Sequence, residues 1–465
     1  MNKIFKADPV IFVCSLLLFL IGLFTLYSLT GSNIESRAEY FDKEFTNQLI
    51  YGIIGVILGA LTFLMPMYYL RLKWILIILY AVTTLLLVYT VFFGLDIKGV
   101  RRWISIGGQV LDDGSVIGGF TIQASEFAKL SLIIVASSLL SIPIANEEKK
   151  TLLINKLKQY FYKNQYTLFA ILSGISFLIL IIAQKSLSVA GVTGIIFLSV
   201  FFASIKNKLH SILLFISLIL SILISQNIFF NLDLIVRIVV FLFPVGIYIY
   251  SVYSEKLNEI TVFLVIAFGV ISGAFLVNFV WNDVLRDYQR ARVENFLSAE
   301  TDLEAEGFQQ YQSIISIGAG QIFGQGFTQV SDTRLLLLPE PTTDFVFAIF
   351  SYKFGFVGSL ILIVLFLILS VRIFQLADTM NDKYSSLILI GVGTMITIQF
   401  FFNIGMNMGF LPVGGTTLPF ISAGGSSLIS MMIAIGLVEN VIASNNMEKN
   451  IHQRRDKVII EGWNV

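Results

Sequence analysis

Residues 281–345 read WNDVLRDYQRARVENFLSAETDLEAEGFQQYQSIISIGAGQIFGQGFTQVSDTRLLLLPEPTTDF. Long apolar runs flank this stretch, which itself holds closely spaced Arg, Asp and Glu, then glycines, then a Pro-Glu-Pro turn. It is too long and too polar to be a routine connector. Loops of this length within compact proteins are usually functional or disordered. Aromatic and aliphatic residues run through this one, which favours order and function.

Outward from it, the chain is apolar. Of 465 residues 56% are hydrophobic and 13% are charged, and the mean hydropathy is +0.84. A soluble domain carries roughly 25% charged residues. Apolar runs of about the length that crosses a bilayer as helix recur along the sequence. They fall near 10–30, 48–66, 74–94, 125–143, 166–183, 187–204, 209–230, 234–252, 260–281, 343–371, 386–409 and 421–443. The expected fold is therefore an all-α polytopic membrane protein of about 12 transmembrane helices with a large extracytoplasmic loop at 282–342. The first run is longer than a signal-peptide core and lacks a small-x-small cleavage site, so it reads as a retained span.

Basic residues orient the spans. Lys3 and Lys6, Arg71 and Lys73, Lys149, Lys150, Lys156, Lys158 and Lys163, Lys206 and Lys208, and the tail residues Lys449, Arg454, Arg455 and Lys457 mark alternate connectors as cytoplasmic. The positive-inside rule then puts both termini inside and 282–342 outside. A net charge of +1 offers no broad basic field for nucleic acid. One cysteine, Cys14, and two histidines, His210 and His452, exclude an internal disulfide and any Cys- or His-rich metal site.

Short motifs in the outer loop narrow the class. Arg286-Asp287-Tyr288-Gln289-Arg290-Ala291-Arg292-Val293, Phe296-Leu297, Thr301-Asp302, Tyr311-Gln312-Ser313, Ile317-Gly318, Leu338-Pro339-Glu340 and Thr343-Asp344-Phe345 follow in order. Together they resemble the large outer loop of the RodA/FtsW/SpoVE family, the shape, elongation, division and sporulation proteins that polymerise lipid II into peptidoglycan glycan strands. The resemblance covers nearly the whole chain as one membrane domain, 1–465. Family members have ten spans, and the excess pair falls within about 209–281. The resemblance implies a peptidoglycan glycosyltransferase of the bacterial cytoplasmic membrane, with undecaprenyl-diphosphate-linked lipid II as substrate and a class B penicillin-binding protein as partner. A lipid II flippase is the rival reading.

The resemblance places the family's catalytic aspartate at Asp302. A carboxylate there could deprotonate the acceptor hydroxyl as it attacks the donor's anomeric carbon. The plainer alternative is one solvated acid among Glu300, Glu304 and Glu306. Arg290 and Arg102 are diphosphate-binding candidates, because a guanidinium fork suits phosphate. A salt-bridged helix and an interfacial Arg–Trp anchor with Trp103 are their respective alternatives. Glu126 and Lys129, three apart at the head of a span, share a face and match a paired Glu and Lys of the family, as site wall or structural ion pair. Glu340 and Asp344 match the segment that closes the loop, and Asp344, entering a span, should meet a cation. A divalent cation, Mg²⁺ or Mn²⁺, could assist; no dedicated site is legible. The glycine series 318, 320, 324 and 326 follows no strand pattern and does not read as a nucleotide loop. Departures from the family are Leu303 for proline, Gln184-Lys185-Ser186-Leu187-Ser188 for a Gln-Pro-Asp-Leu-Gly junction, Tyr352-Lys353 for paired glutamates, and Ala423 for tyrosine.

Overall fold

The computed structural model describes residues 3–30, 35–97, 100–107, 109–110, 116–117, 120–142, 153–205, 290, 306–326 and 341–462. The chain forms two compact units, one from Met1–Ser204 with Thr301–Val465 and one from Ile205–Glu300. In the second, only Ile205 and Arg290 are described. The spans expected at 209–230, 234–252 and 260–281 lie outside the described residues, as does most of the outer loop.

The first unit is helical, as expected. Its helices are α1 (Pro9–Tyr27), α2 (Glu35–Leu64), α3 (Lys73–Phe93), α4 (Ala124–Ser141), α5 (Leu153–Ala183), α6 (Leu187–Ser204), α7 (Glu306–Ala319), α8 (Val346–Asp378), α9 (Lys383–Asn407) and α10 (Gly425–Gly462). Among the described residues nine helices, all but α7, are long and apolar enough to cross a membrane. Local chemistry sets their ends. Asp8 accepts from the backbone N–H groups of Val10 and Ile11 and Pro9 occupies the first turn, capping α1. Asp382 does the same for α9 through Ser385.

Inside a bilayer, helices gain nothing by hiding apolar side chains from lipid, so close packing holds them together. On α2, Gly55 and Gly59 are spaced four apart. A β-carbon at Gly59 would strike the backbone of Met432 on α10, and one at Gly436 would strike the backbone of Gly59. Glycine there lets α2 and α10 run backbone against backbone. The central core joins α1, α4, α6, α8, α9 and α10 through Ile11, Leu18, Ile133, Ile196, Phe366, Phe400, Met431 and Val438. The outward faces of α1 and α3 carry exposed Phe12, Leu16, Phe24, Ile77, Leu85 and Phe92, the surface a lipid-facing span requires.

At the end where α1 begins, polar clips fasten the bundle. Arg372 pairs with Asp8 at 2.7 Å, and the Asp8 N–H donates to Glu439 Oε2 at 2.8 Å. Lys3 Nζ donates to Asn440 Oδ1 at 2.7 Å, and burial lowers its ammonium below the ordinary lysine value. Arg71 pairs with Asp382.

At the opposite end the described residues between α3 and α4 form a three-stranded antiparallel sheet and a separate two-stranded one. Strands β1 (Leu95–Ile97), β2 (Val100–Ile106) and β5 (Phe120–Gln123) run in the order β1-β2-β5, and β3 (Gln109–Val110) pairs with β4 (Val116–Ile117).

Candidate active site

The register of β2 on β5 builds one side of the site. Trp103 pairs with Gln123 and Ile104 with Ile122. Gln123 is the residue before α4, so Arg102 is brought to the head of the helix that carries Glu126 and Lys129. Arg102 lies 6.0 Å from the Trp103 ring centroid, the outer limit of a cation–π contact. Within α4, Lys129 Nζ donates to Glu126 Oε1 at 2.8 Å, and the two side chains are 2% and 5% exposed. Ser430 Oγ approaches Glu126 Oε2 at 3.5 Å. Glu126 sits in the first turn, where the helix dipole favours an acid.

The segment 411–424, between α9 and α10, supplies the floor. A β-carbon at Gly415 would collide with Arg102 Nη1 and would stand 3.4 Å from Asp344 Oδ2. The Arg102 guanidinium and the Asp344 carboxylate therefore both lie close to the bare backbone of Gly415. Gly414 lies against Ser188 in the same way. The departing junction between α5 and α6 therefore sits beneath this floor, with Lys185 at φ +62°.

A row of amides on α9 holds these parts in place. Gln399, Asn403 and Asn407 recur every four residues, and all are buried. Asn403 Nδ2 donates to the carbonyls of Asp344 at 3.0 Å and Thr416 at 2.8 Å. Asn407 Nδ2 donates to Asp344 O at 3.0 Å, and the Ser313 hydroxyl of α7 donates to Asn407 O at 2.9 Å. Ser422 Oγ donates to Thr343 O at 2.6 Å, the Ala423 N–H donates to Thr342 O at 2.8 Å, and Gln48 of α2 donates to Ser422 O at 3.0 Å. Ala423, in place of the family's tyrosine, thus serves through its backbone. This amide row was not among the expected site residues. Its signal was present: polar residues at helical spacing within an apolar span usually face partners.

Gln123, Glu126, Lys129, Val189, Val192, Gln399, Gly415, Thr416 and Thr417 enclose a cavity of about 10 Å³. It admits roughly one water and no sugar ring. Gln399 Oε1 and Thr416 Oγ1 are buried and make no hydrogen bond among the described residues.

Of the expected site residues, Arg102, Glu126, Lys129 and Asp344 come together. Asp302 and Glu340 lie outside the described residues. Arg290 belongs to the other unit. Among the described residues no group of three His, Cys, Asp or Glu side chains is placed to hold a metal ion. Glu126 is taken up by its ion pair with Lys129.

A family model described as "Cell cycle protein", that of FtsW, RodA and SpoVE, matches residues 8–246 and 228–447. The chain belongs to the FtsW/RodA/SpoVE family. It is 29% identical over 447 residues to the peptidoglycan glycosyltransferase RodA of Treponema pallidum, covering 94% of this chain and 97% of the relative. It is 30% identical over 441 residues to the stage V sporulation protein E of Bacillus subtilis, covering 93% and 96%. Solved structures share the fold. One chain, from a study of polymerization and crosslinking by a peptidoglycan synthase complex, gives a TM-score of 0.62 at 22% identity, covering 94% of this chain and 98% of that one. The rod shape determining protein RodA of Thermus thermophilus gives 0.53 at 20%, covering 94% and 97%. This FtsW/RodA/SpoVE chain is accordingly a multi-pass membrane protein.

Proposed function

We propose that the chain is a peptidoglycan glycosyltransferase that polymerises lipid II into glycan strands at the outer face of the cytoplasmic membrane, with both termini inside. The meeting of Arg102, Asp344 and the Glu126–Lys129 pair around Gly415 carries the reading. It is a charged, protein-lined recess at the membrane end where the second outer loop and the close of the large loop converge.

In the reaction, the acceptor sugar hydroxyl forms a bond to the donor's anomeric carbon. The bond from that carbon to the diphosphate breaks, and undecaprenyl diphosphate leaves. Asp302 takes the hydroxyl proton as general base. Arg102 binds the diphosphate, whose charge grows as the bond breaks, and the buried Glu126–Lys129 pair forms the wall behind it. Glu126, Glu340 and Asp344 position these cations. A class B penicillin-binding protein is the partner that cross-links the product. The likeness to a chain from a peptidoglycan synthase complex supports that pairing. The test is lipid II polymerisation by the purified protein, with and without that partner. Absence of glycan product under both conditions would end this reading.

Lipid II flipping is the second reading, and α8 gives it one observation. This span is broken at Gly355, φ +66°, and transporters favour broken helices. The break lies near the start of α8, and other chain segments saturate its backbone groups. A transport site would leave such groups open to a cavity. Lipid II transfer between leaflets of reconstituted vesicles separates the two readings.

A further inference from the structure

Helix α7 is amphipathic in the reverse of the sense a solvated loop requires, and the turn after it exposes two apolar side chains beside the polar Gln321 and Gln325. On α7 the polar side chains face inward. Gln310 Nε2 donates to the carbonyls of Met406 at 2.9 Å and Leu411 at 2.8 Å, and Ser313 and Ser316 are fully buried. The apolar Tyr311 and Ile314 face outward. In the turn that follows, Ile322 and Phe323 are exposed, Phe323 by 81%. From 307 to 326 there is no Asp, Glu, Lys, Arg or His.

The backbone of this segment is nonetheless satisfied. The break of α8 at Gly355 frees main-chain groups that the turn takes up. Gln325 N–H donates to Tyr352 O at 2.9 Å and Gly326 N–H to Lys353 O at 3.0 Å; Phe356 N–H donates to Gln321 O at 2.8 Å and Val357 N–H to Ile322 O at 3.1 Å. A β-carbon at Gly324 or Gly355 would strike the opposing backbone, so both glycines are needed for this junction. Irregular backbone persists at membrane depth only when its polar groups are paired within protein. Here they are paired where the side chains are most exposed and apolar.

The patch also continues a lipid-facing surface. Beyond Gly355, residues 356–378 of α8 span about 35 Å, enough to cross the hydrocarbon core alone. Their exposed stripe of Phe356, Val357, Leu360, Ile361, Val364, Leu367 and Ile368 begins beside Phe323, and Phe410 at the end of α9 is 71% exposed.

We infer that residues 306–326 form a membrane-immersed element, whose Tyr311, Ile314, Ile322 and Phe323 face bears on the lipids of the leaflet at the site's end of the bundle. With no basic residue in it, the element contacts uncharged interface and acyl chains and not anionic headgroups. It would tie the loop that carries the site to the surface along which a lipid-linked substrate diffuses.

The test uses the full chain with Cys14→Ser, reconstituted in phosphatidylcholine vesicles with and without phosphatidylglycerol. Nitroxide labels on Tyr311→Cys, Phe323→Cys and the reference Leu360→Cys are probed for collisions with oxygen and with a water-soluble nickel complex. Labels at 311 and 323 should favour oxygen over nickel, as at 360, equally in both vesicle types. Preference for nickel would place the segment in water and overturn the proposal. Shielding from both reagents would mean a protein cover and would also overturn it. A photo-crosslinking residue at Phe323 in otherwise wild-type protein gives a second reading: lipid adducts are expected, and adducts to protein alone count against it.

Discussion

Lys129 Nζ and Glu126 Oε1 stand 2.8 Å apart, one helical turn into α4, with both side chains closed off from lipid and solvent. An ion pair so placed is held by its geometry, because each charge alone would lie uncompensated in a low-dielectric interior. Lys129→Met should destabilise the protein by about 3–5 kcal/mol. Glu126→Gln added to it should recover part of that loss. The apparent melting temperature of the purified protein reads both changes. A double variant no more stable than Lys129→Met would show that the two charges are not coupled.

Gly415 matters for what it leaves room for. Gly415→Ala should displace the Arg102 guanidinium, and misplacing a substrate-binding group can cost on the order of 10²-fold in rate. In an Arg102→Ala background the same alanine should add little, because the colliding group is gone. Polymerisation rates over this four-variant cycle test the coupling. Simple additivity would mean that Gly415 serves some other neighbour.

Asp8 has two separable tasks, capping α1 and pairing with Arg372. Asp8→Asn keeps a capping oxygen and loses the ion pair, which costs about 0–1 kcal/mol for a pair with a solvent-exposed arginine. Asp8→Ala loses the cap as well, about 1 kcal/mol more. Apparent melting temperatures should therefore fall in the order wild type, Asp8→Asn, Asp8→Ala. Equal loss in both variants would assign the whole effect to the ion pair.

Asp302→Asn removes a base without adding bulk. Polymerisation should fall by roughly 10²- to 10⁴-fold, with expression and membrane insertion unchanged. Wild-type rates would move the role to Glu304 or Glu306, or remove it from this loop.

The site assignment requires Asp302 outside. Single cysteines at Asn231, Ser254 and Glu304 in a Cys14→Ser background should react with a membrane-impermeant thiol reagent on cells at 231 and 304, but not at 254. A Glu304→Cys protein that labels only after lysis would put Asp302 on the wrong side for lipid II polymerisation.

Much of the bundle was legible because the membrane writes itself into local composition. The expected span at 187–204 coincides with α6, and 74–94 with α3, displaced by one residue at each end. Other boundaries moved where polar sequence continued a helix. Helix α5 begins at Leu153, inside the Lys-rich connector. Helix α8 runs on to Asp378, because Arg372 in its last turns finds Asp8. The outer loops were less legible. Strands of two to seven residues carry too little periodicity to be read alone, and α7 hides its polar face in protein, against the usual pattern.

The sequence by itself determined that this protein crosses the membrane many times, and through its ordered outer-loop motifs it determined the family. Both are local properties: a run of apolar residues meets the cost of leaving water without help from the rest of the chain. It also named Arg102, Glu126, Lys129 and Asp344. Only the tertiary structure decided that Glu126 and Lys129 line a cavity reaching Gly415, that Arg102 and Asp344 lie close to the same glycine, and that Asn403 and Asn407 of α9 bind the adjoining backbone. Those facts depend on hydrogen bonds between residues far apart in the chain, such as Asn403 to Asp344 and Gln48 to Ser422. No local window carries such pairings, because each amide could satisfy its donors on any nearby carbonyl until packing selects one.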